Sequence, residues 1–344
     1  MAFPLSVLDL SMIDSGSNST QALYNTIKLA QLADRLGFTR YWLAEHHNTN
    51  MLASSSPEIM IGHVAQATEH IRVGSGGVML PNHSPLRVAE SFRVLEALHP
   101  GRIDLGIGRA PGTDPKTALA LRRSRDAMNA DDFPEQLAEL RAFANAGDEF
   151  PEGHPFRSVK ATPDDVELPP LWLLGSSDFS AQAAALLGVG FSFAHHINPN
   201  FAVPAISLYR TAFEPSEHLK EPKVILTTTV VCAETDEEAE DLSASMALAW
   251  VRLRSGKPAP LPSPEEAKAH VYSAFEQQIL REYHNRRQMV GRPEVVRERL
   301  INLVEETEAD ELMISAMIYG YENRARTYEL LAKAFDLKSP IPAK

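Results

Sequence analysis

Short apolar, β-branched runs alternate with stretches of helical period over the first two thirds of the chain. Val7-Leu8-Asp9-Leu10 reads as a strand, and a helix follows from about Thr20 to Leu36, with Thr20 as N-cap and Gly37 as the glycine that stops it. Tyr41-Trp42-Leu43-Ala44 is the second strand, and the helix from Pro57 to Glu69 opens on a proline, where no amide donor is needed. Ile71–Gly74 is the third strand, Pro85–Leu98 a helix, Pro100-Gly101 a turn and Ile103–Ile107 the fourth strand. After a break the pattern resumes with strands at Leu171–Leu174, Gly190–Ala194, Val224–Val231 and Leu312–Met317. Helices at Ser180–Leu187, Phe201–Phe213 and Tyr321–Phe335 separate or follow them.

Two stretches interrupt the rhythm. Residues 110–168 are rich in Asp, Pro and Arg, with one clear helix around Phe133–Phe143. Residues 233–310 read as mostly helical, and their Lys257–Pro264 segment, with four prolines, is expected to be an exposed loop or hinge.

Eight strands alternating with helices predict a parallel sheet, because each parallel crossover needs a helix to return the chain. The arithmetic is that of a parallel (β/α)8 TIM-type barrel with insertions, one domain over residues 1–344. A doubly wound open sheet is the rival fold.

Composition narrows the class. With 44% hydrophobic and 23% charged residues the 344-residue chain is globular, and its formal charge of -12 argues against a nucleic-acid binder, which needs a basic stripe. The one cysteine, Cys232, allows no internal disulfide and suits a reducing compartment. No apolar run approaches membrane length and no signal peptide is apparent, so a cytoplasmic protein is expected.

Active sites in such barrels lie at the C-terminal ends of the strands. Polar and glycine clusters gather there: Glu45-His46-His47, Ser75-Gly76-Gly77, Gly108-Arg109, Gly175-Ser176-Ser177 and His195-His196. Histidine moves protons near neutral pH and a neighbouring carboxylate orients it; the alternative is a solvated pair on a loop. Adjacent glycines let backbone approach a flat ligand, or simply bend a strand. Arg109 can fork onto a phosphate or form a surface ion pair. Ser176 and Ser177 precede a helix, and serines there bind anions or cap the helix.

Trp42-Leu43-Ala44-Glu45-His46-His47-Asn48 resembles a segment of the luciferase-like flavin monooxygenases. So do Ile71–Pro81, Pro85–Glu90, Pro100–Arg109 and Leu171–Ser177, in matching order. The resemblance implies FMN at the barrel mouth, with Gly76-Gly77 joined by a non-prolyl cis peptide beneath the flavin ring. It places Arg109, Ser176 and Ser177 at the phosphate, with Ser75 and Gly175 among the cofactor residues. Glu45 is the flavin-proximal carboxylate that orients His46, the catalytic histidine. His47, His195 and His196 are assigned to the substrate side by position. Gly108 and Gly175-Ser176 depart from the luciferase α chain, so light emission and aldehyde specificity are not carried over. The implied reaction is two-component oxygenation of a small organic substrate by O2 through a C4a-peroxyflavin, with a flavin reductase supplying reduced FMN to a homodimer. Rival readings are an F420-dependent oxidoreductase, a non-catalytic flavin binder, and a metal-dependent hydrolase using Glu45, His46, His47, His195 and His196 as ligands.

Overall fold

A computed structural model describes residues 3–126, 132–146, 149–284 and 289–340. The first half runs β1 (Leu5–Asp9), α1 (Ser19–Leu36), β2 (Arg40–Leu43), α2 (Pro57–Ala67), β3 (Arg72–Ser75), β4 (Val78–Met79), α3 (Pro85–Leu98) and β5 (Ile103–Gly108). It continues with α4 (Pro115–Arg122), α5 (Phe133–Phe143), β6 (Leu171–Gly175), α6 (Asp178–Leu187), β7 (Gly190–Ala194), α7 (Ala202–Ala212) and β8 (Val224–Cys232). The remainder is α8 (Asp236–Arg254), α9 (Pro264–Ala269), α10 (Ala274–His284), β9 (Met289–Gly291), α11 (Pro293–Thr307), β10 (Glu311–Ser315) and α12 (Tyr321–Ala334).

Strands β1, β2, β3, β5, β6, β7, β8 and β10 pair in parallel around a ring that β10 closes by bonding both β1 and β8. The closed (β/α)8 barrel is therefore established and the open sheet excluded. Two short strands escaped the sequence pattern: β4 adds to β5, and β9 adds to the end of β8. The N-cap of α1 is Asn18, whose side chain accepts from the Gln21 amide, so Thr20 lies inside the helix.

Strand register decides what faces the barrel axis. Leu8 pairs with Trp42, Trp42 with Gly74, Gly106 with Trp172 and Trp172 with Gly190. The inner face holds a small apolar cluster of Leu8, Trp42, Trp172, Ile225 and Met313, while the larger core lies between strands and helices. Below this cluster an ionic layer closes the N-terminal end. Arg40 bridges Asp104 at 2.9 Å and Glu311 at 2.8 Å, and Arg72 binds Asp104 at 2.7 Å. Burial raises the Glu311 pKa, with Arg40 opposing it. With that end plugged, the opposite end is the open one.

Gly190 shows how tightly the interior is filled: a Cβ there would stand 2.3 Å from the Trp172 ring. Gly190→Ala is expected to destabilise the fold by about 1–3 kcal/mol, the usual cost of overpacking. Urea unfolding at unchanged m-value reads it; an unaltered midpoint would show that Trp172 has room to move.

The Lys257–Pro264 segment corrects its sequence reading. Leu261 is wholly buried, and its backbone is bonded to the chain after β1: Leu261 N–H donates to Ile13 and Ser15 N–H donates to Leu261, both at 2.8 Å. Alternating prolines hold the chain extended while leaving the Leu261 amide, between two of them, free to bond. It is a strap, not a free loop.

Candidate active site

The segment after β2 carries Glu45, His46 and His47 up from the barrel wall. Glu45 is completely buried. Its carboxylate meets His47 Nε2 at 2.8 Å and His83 Nε2 at 3.0 Å, and accepts the Met79 amide at 2.9 Å. Burial alone would raise the Glu45 pKa. The bonds and charge of His83, then the bonds from His47 and Met79, outweigh that and hold it below the usual carboxylate range. Burial also disfavours the His83 cation, yet Glu45 outweighs it and raises the His83 pKa. This carboxylate thus ties the loop after β2 to β4 and to the turn that follows it.

That arrangement corrects one expectation. Glu45 orients His47 and His83 by direct bonds, and no bond joins it to His46. The His47 Nε2 is engaged by Glu45, so through that nitrogen His47 anchors the loop. His83 and Asn82 were missed. Asn82 donates to the Pro111 carbonyl at 2.9 Å and approaches Glu45 at 3.4 Å. The available signal was Pro81-Asn82-His83, polar residues at the end of a two-residue strand too short to show a period.

His46 continues the inward positions Trp42 and Ala44. Its Nδ1 is buried and has no hydrogen-bond partner among the described residues. Burial lowers its pKa; Glu45 opposes this, while His47 and His196 push it further down. The imidazole is therefore neutral at neutral pH.

β3 and β5 carry glycines at inward positions, where neighbouring strands and side chains pack too closely for a Cβ. Gly74 and Gly76 take the inward positions of β3 and the bend after it, and Gly106 takes one on β5. The Gly76-Gly77 peptide is cis, as the resemblance implied. A Cβ at Gly76 would lie 2.7 Å from Leu8, and one at Gly77 would lie 2.8 Å from the Gly106 carbonyl. Ser75 does not share these positions. It is wholly buried between strands, its hydroxyl donating to the Gly106 carbonyl at 2.8 Å and accepting the Gly106 amide at 2.9 Å.

Across the mouth, Arg109 is exposed and stacks at 4.0 Å over Phe179, in the first turn of α6. Ser177 is the N-cap of α6 but makes no side-chain capping bond. The guanidinium and the two serines therefore share one corner, with the positive end of a helix dipole behind them. Asp178 Oδ1 occupies the Phe179 amide at 2.9 Å, so that donor is already used. Gly175 serves packing: a Cβ would sit 2.2 Å from the Ser180 hydroxyl.

The histidine pair after β7 is divided by the alternation of strand faces. His196 follows the inward side and its Nδ1 bonds the Thr227 carbonyl at 3.1 Å, which assigns the proton to Nδ1 and leaves Nε2 as acceptor in the neutral ring. Burial lowers its pKa. His195 turns outward, bonds the Thr228 hydroxyl at 3.2 Å and lines an external cleft with Asn302 and Glu306 of α11. The expectation had His195 on the substrate side; the structure places it in this cleft instead. Nor do the five residues named as metal ligands converge; among the described residues no set of three His, Cys, Asp or Glu is arranged to hold a metal.

The inward glycines, the Arg109 corner and the His46 and His196 imidazoles gather at the open end of a closed parallel (β/α)8 barrel, the end at which such barrels carry their active sites. The chain belongs to the luciferase-like monooxygenase family, whose model matches residues 3–311. A luciferase-like monooxygenase of Escherichia coli (strain K12) is 41% identical over 98% of this chain and 97% of its own. The N-acetyl-S-alkylcysteine monooxygenase of Bacillus subtilis (strain 168) is 36% identical over 96% of this chain and 97% of its own. The solved structure of apo-MsnO8 superimposes with a TM-score of 0.86 at 39% identity, covering 98% of this chain and 99% of that one.

Proposed function

We propose that this enzyme binds FMN across the barrel mouth and is the oxygenase component of a two-component monooxygenase, using reduced FMN from a separate reductase and O2 to oxygenate a small organic substrate. The observation that carries the reading is the buried His46 Nδ1, without a partner among the described residues, after the C-terminal end of β2. A polar atom kept dry without a partner is costly unless a bound molecule completes it. The family and the monooxygenases among its relatives support the same reading.

Arg109, Ser176 and Ser177 would hold the phosphate, and the Gly76-Gly77 backbone would bear the ring. Reduced FMN, when bound, supplies the electrons that activate O2. His46, neutral and desolvated, accepts or returns a proton at Nδ1. His196 presents its Nε2 as an acceptor from its own side of the mouth. Glu45 acts as a positioning residue, fixing the loop from which His46 projects. Assembly as a homodimer and a cytoplasmic location belong to the same proposal; sedimentation of the purified protein reads the first.

With reduced FMN supplied by an unrelated reductase, the protein should suppress H2O2 release relative to free reduced FMN, because a dry site slows that side reaction. Equal release with and without the protein would remove the oxygenase reading. F420 titrated in parallel separates the deazaflavin alternative, since tighter binding of F420 than of FMN would select it. Arg109→Ala should weaken FMN about tenfold or more, the scale of one charge-assisted hydrogen bond, while riboflavin affinity stays unchanged. Equal losses for both ligands would place Arg109 away from the phosphate.

A further inference from the structure

Outside the barrel wall, the buried His195 lines a cleft of about 780 Å³ between the first turn of α7 and one face of α11. The two helices are joined at their C-terminal ends, where Arg210 of α7 donates to the Glu308 carbonyl at 2.6 Å and to Asp310 at 2.9 Å. Beside the start of α7 they stand apart, and the buried Met289 of β9 and Leu303 of α11 line the gap between them. Val203, on the α7 side, leaves 41% of its surface exposed.

The α11 wall is made by Arg299, Asn302, Leu303, Glu306 and Thr307, positions i, i+3, i+4, i+7 and i+8 of a single helical face. Arg299 and Glu306 are thus two turns apart, about 10 Å along the axis, and do not pair with each other. Among the described residues neither forms a salt bridge with any other group. Asp236, the acid that feels the Arg299 charge, is itself bonded to Arg292. Arg299 Nη1 donates to the Val290 carbonyl at 2.8 Å, which holds the guanidinium at the β9 end of the wall. Asn200 and Asn302 stand one on each side of the cleft, and neither side chain has a hydrogen-bond partner among the described residues.

We propose that this cleft is a second ligand site, shaped for a short zwitterionic peptide, and that its occupancy is felt at His196. An extended tripeptide spans about 10 Å, the interval between a carboxylate that can take its amine and a guanidinium that can take its carboxylate. The two free side-chain amides suit the peptide groups between those ends, and Val203, Leu303 and Met289 offer apolar cover to a small side chain. The route to the active site is short. His195 and His196 are neighbours, and both are fastened to β8, His195 by the Thr228 hydroxyl at 3.2 Å and His196 by the Thr227 carbonyl at 3.1 Å. A ligand seated against the outward ring therefore bears on the segment that positions the inward one.

The test measures binding of trialanine to the full chain by calorimetry with FMN present. N-acetyltrialanine and trialanine amide are the forms that each lack one charge. Each blocked form should bind about fivefold more weakly, the upper range for an ion pair that water still reaches. Glu306→Gln should abolish the penalty for acetylation alone, and Arg299→Gln the penalty for amidation alone. Both positions are exposed on α11, so the variants keep the fold. Val203→Trp, from the opposite side, should exclude all three peptides. With isotope-labelled histidine, the His196 ring signal, assigned through His196→Gln, should move as trialanine saturates the protein. Absence of saturable binding, equal affinity for the three peptides, or a charge preference that survives in Val203→Trp would overturn the site. A His196 signal unmoved at saturation would overturn the coupling. Binding is read without turnover, so these outcomes are independent of the oxygenase reading.

Discussion

His46→Ala is expected to lower substrate-dependent turnover about 10²–10⁴-fold, the range supplied by a positioned acid or base, with FMN affinity close to that of the parent. The expectation follows from the local physics. Burial holds the imidazole neutral, so the base form is available at neutral pH, and Nδ1 has no competing partner among the described residues. The same shift bears on stability. A histidine whose folded pKa is lowered resists protonation in the native state, so native stability falls as pH drops below the unfolded value of 6.5. His46→Ala removes that penalty: the variant should lose less stability than the parent between neutral and mildly acid pH, even as its turnover collapses. Product formed per O2 consumed, measured alongside thermal unfolding, checks both halves. Turnover at the parental rate would take the imidazole out of the chemistry.

His196 separates a proton role from a steric one. Its Nδ1 is engaged by the Thr227 carbonyl, which leaves Nε2 as the nitrogen for a proton role. Glutamine reproduces an Nε2-like donor and acceptor, whereas asparagine retains only the bond to Thr227. Activity that survives in His196→Gln and falls in His196→Asn would assign the function to Nε2; equal activity in both would assign His196 to packing.

The barrel was legible in the sequence because parallel strands buried on both faces read as continuous apolar runs, and each was followed by a helix with its own punctuation. Strands of two and three residues, β4 and β9, have no period to read. The open end was legible too, from polar residues collecting after the strands. What the linear pattern could not settle was the direction of each side chain. Ser75 stands between inward Gly74 and Gly76, and its hydroxyl is spent on the neighbouring strand. His195 and His196 differ by one position and therefore by a face. The partner of Glu45 was hidden for another reason: His83 lies 38 residues further on and reaches it only because β4 brings that turn beside the loop after β2. Proline density at Lys257–Pro264 was read as exposure, but proline equally suits an extended strap, and from within it Leu261 joins a buried cluster with Met12 and Ala249.

Glu45→Ala is expected to cost about 1–3 kcal/mol, because it leaves the Met79 amide without its acceptor and removes the anion that His47 and His83 share. The half-buried His83 would lose the carboxylate that stabilises its cation, and the Met79 amide would lose its acceptor. Two segments that frame His46 would then separate, so the loss of activity should accompany the loss of stability. Glu45→Gln distinguishes geometry from charge, since an amide can still accept the Met79 amide but cannot balance a histidine cation. The signs follow from the two shifts. Glu45 is lowered in the fold, so its contribution is complete above the unfolded value of 4.5 and is lost as pH falls through the folded pKa. His83 is raised, so its contribution is complete below 6.5 and is lost as pH rises through the folded pKa. The ionic pair therefore stabilises most between those two unfolded values and progressively less on either side. Denaturant midpoints measured across this window should show the parent's excess over Glu45→Gln rising and then falling. An excess that stays constant with pH would mean that neither ionisation is coupled to folding, and the loop after β2 would then be held by uncharged contacts.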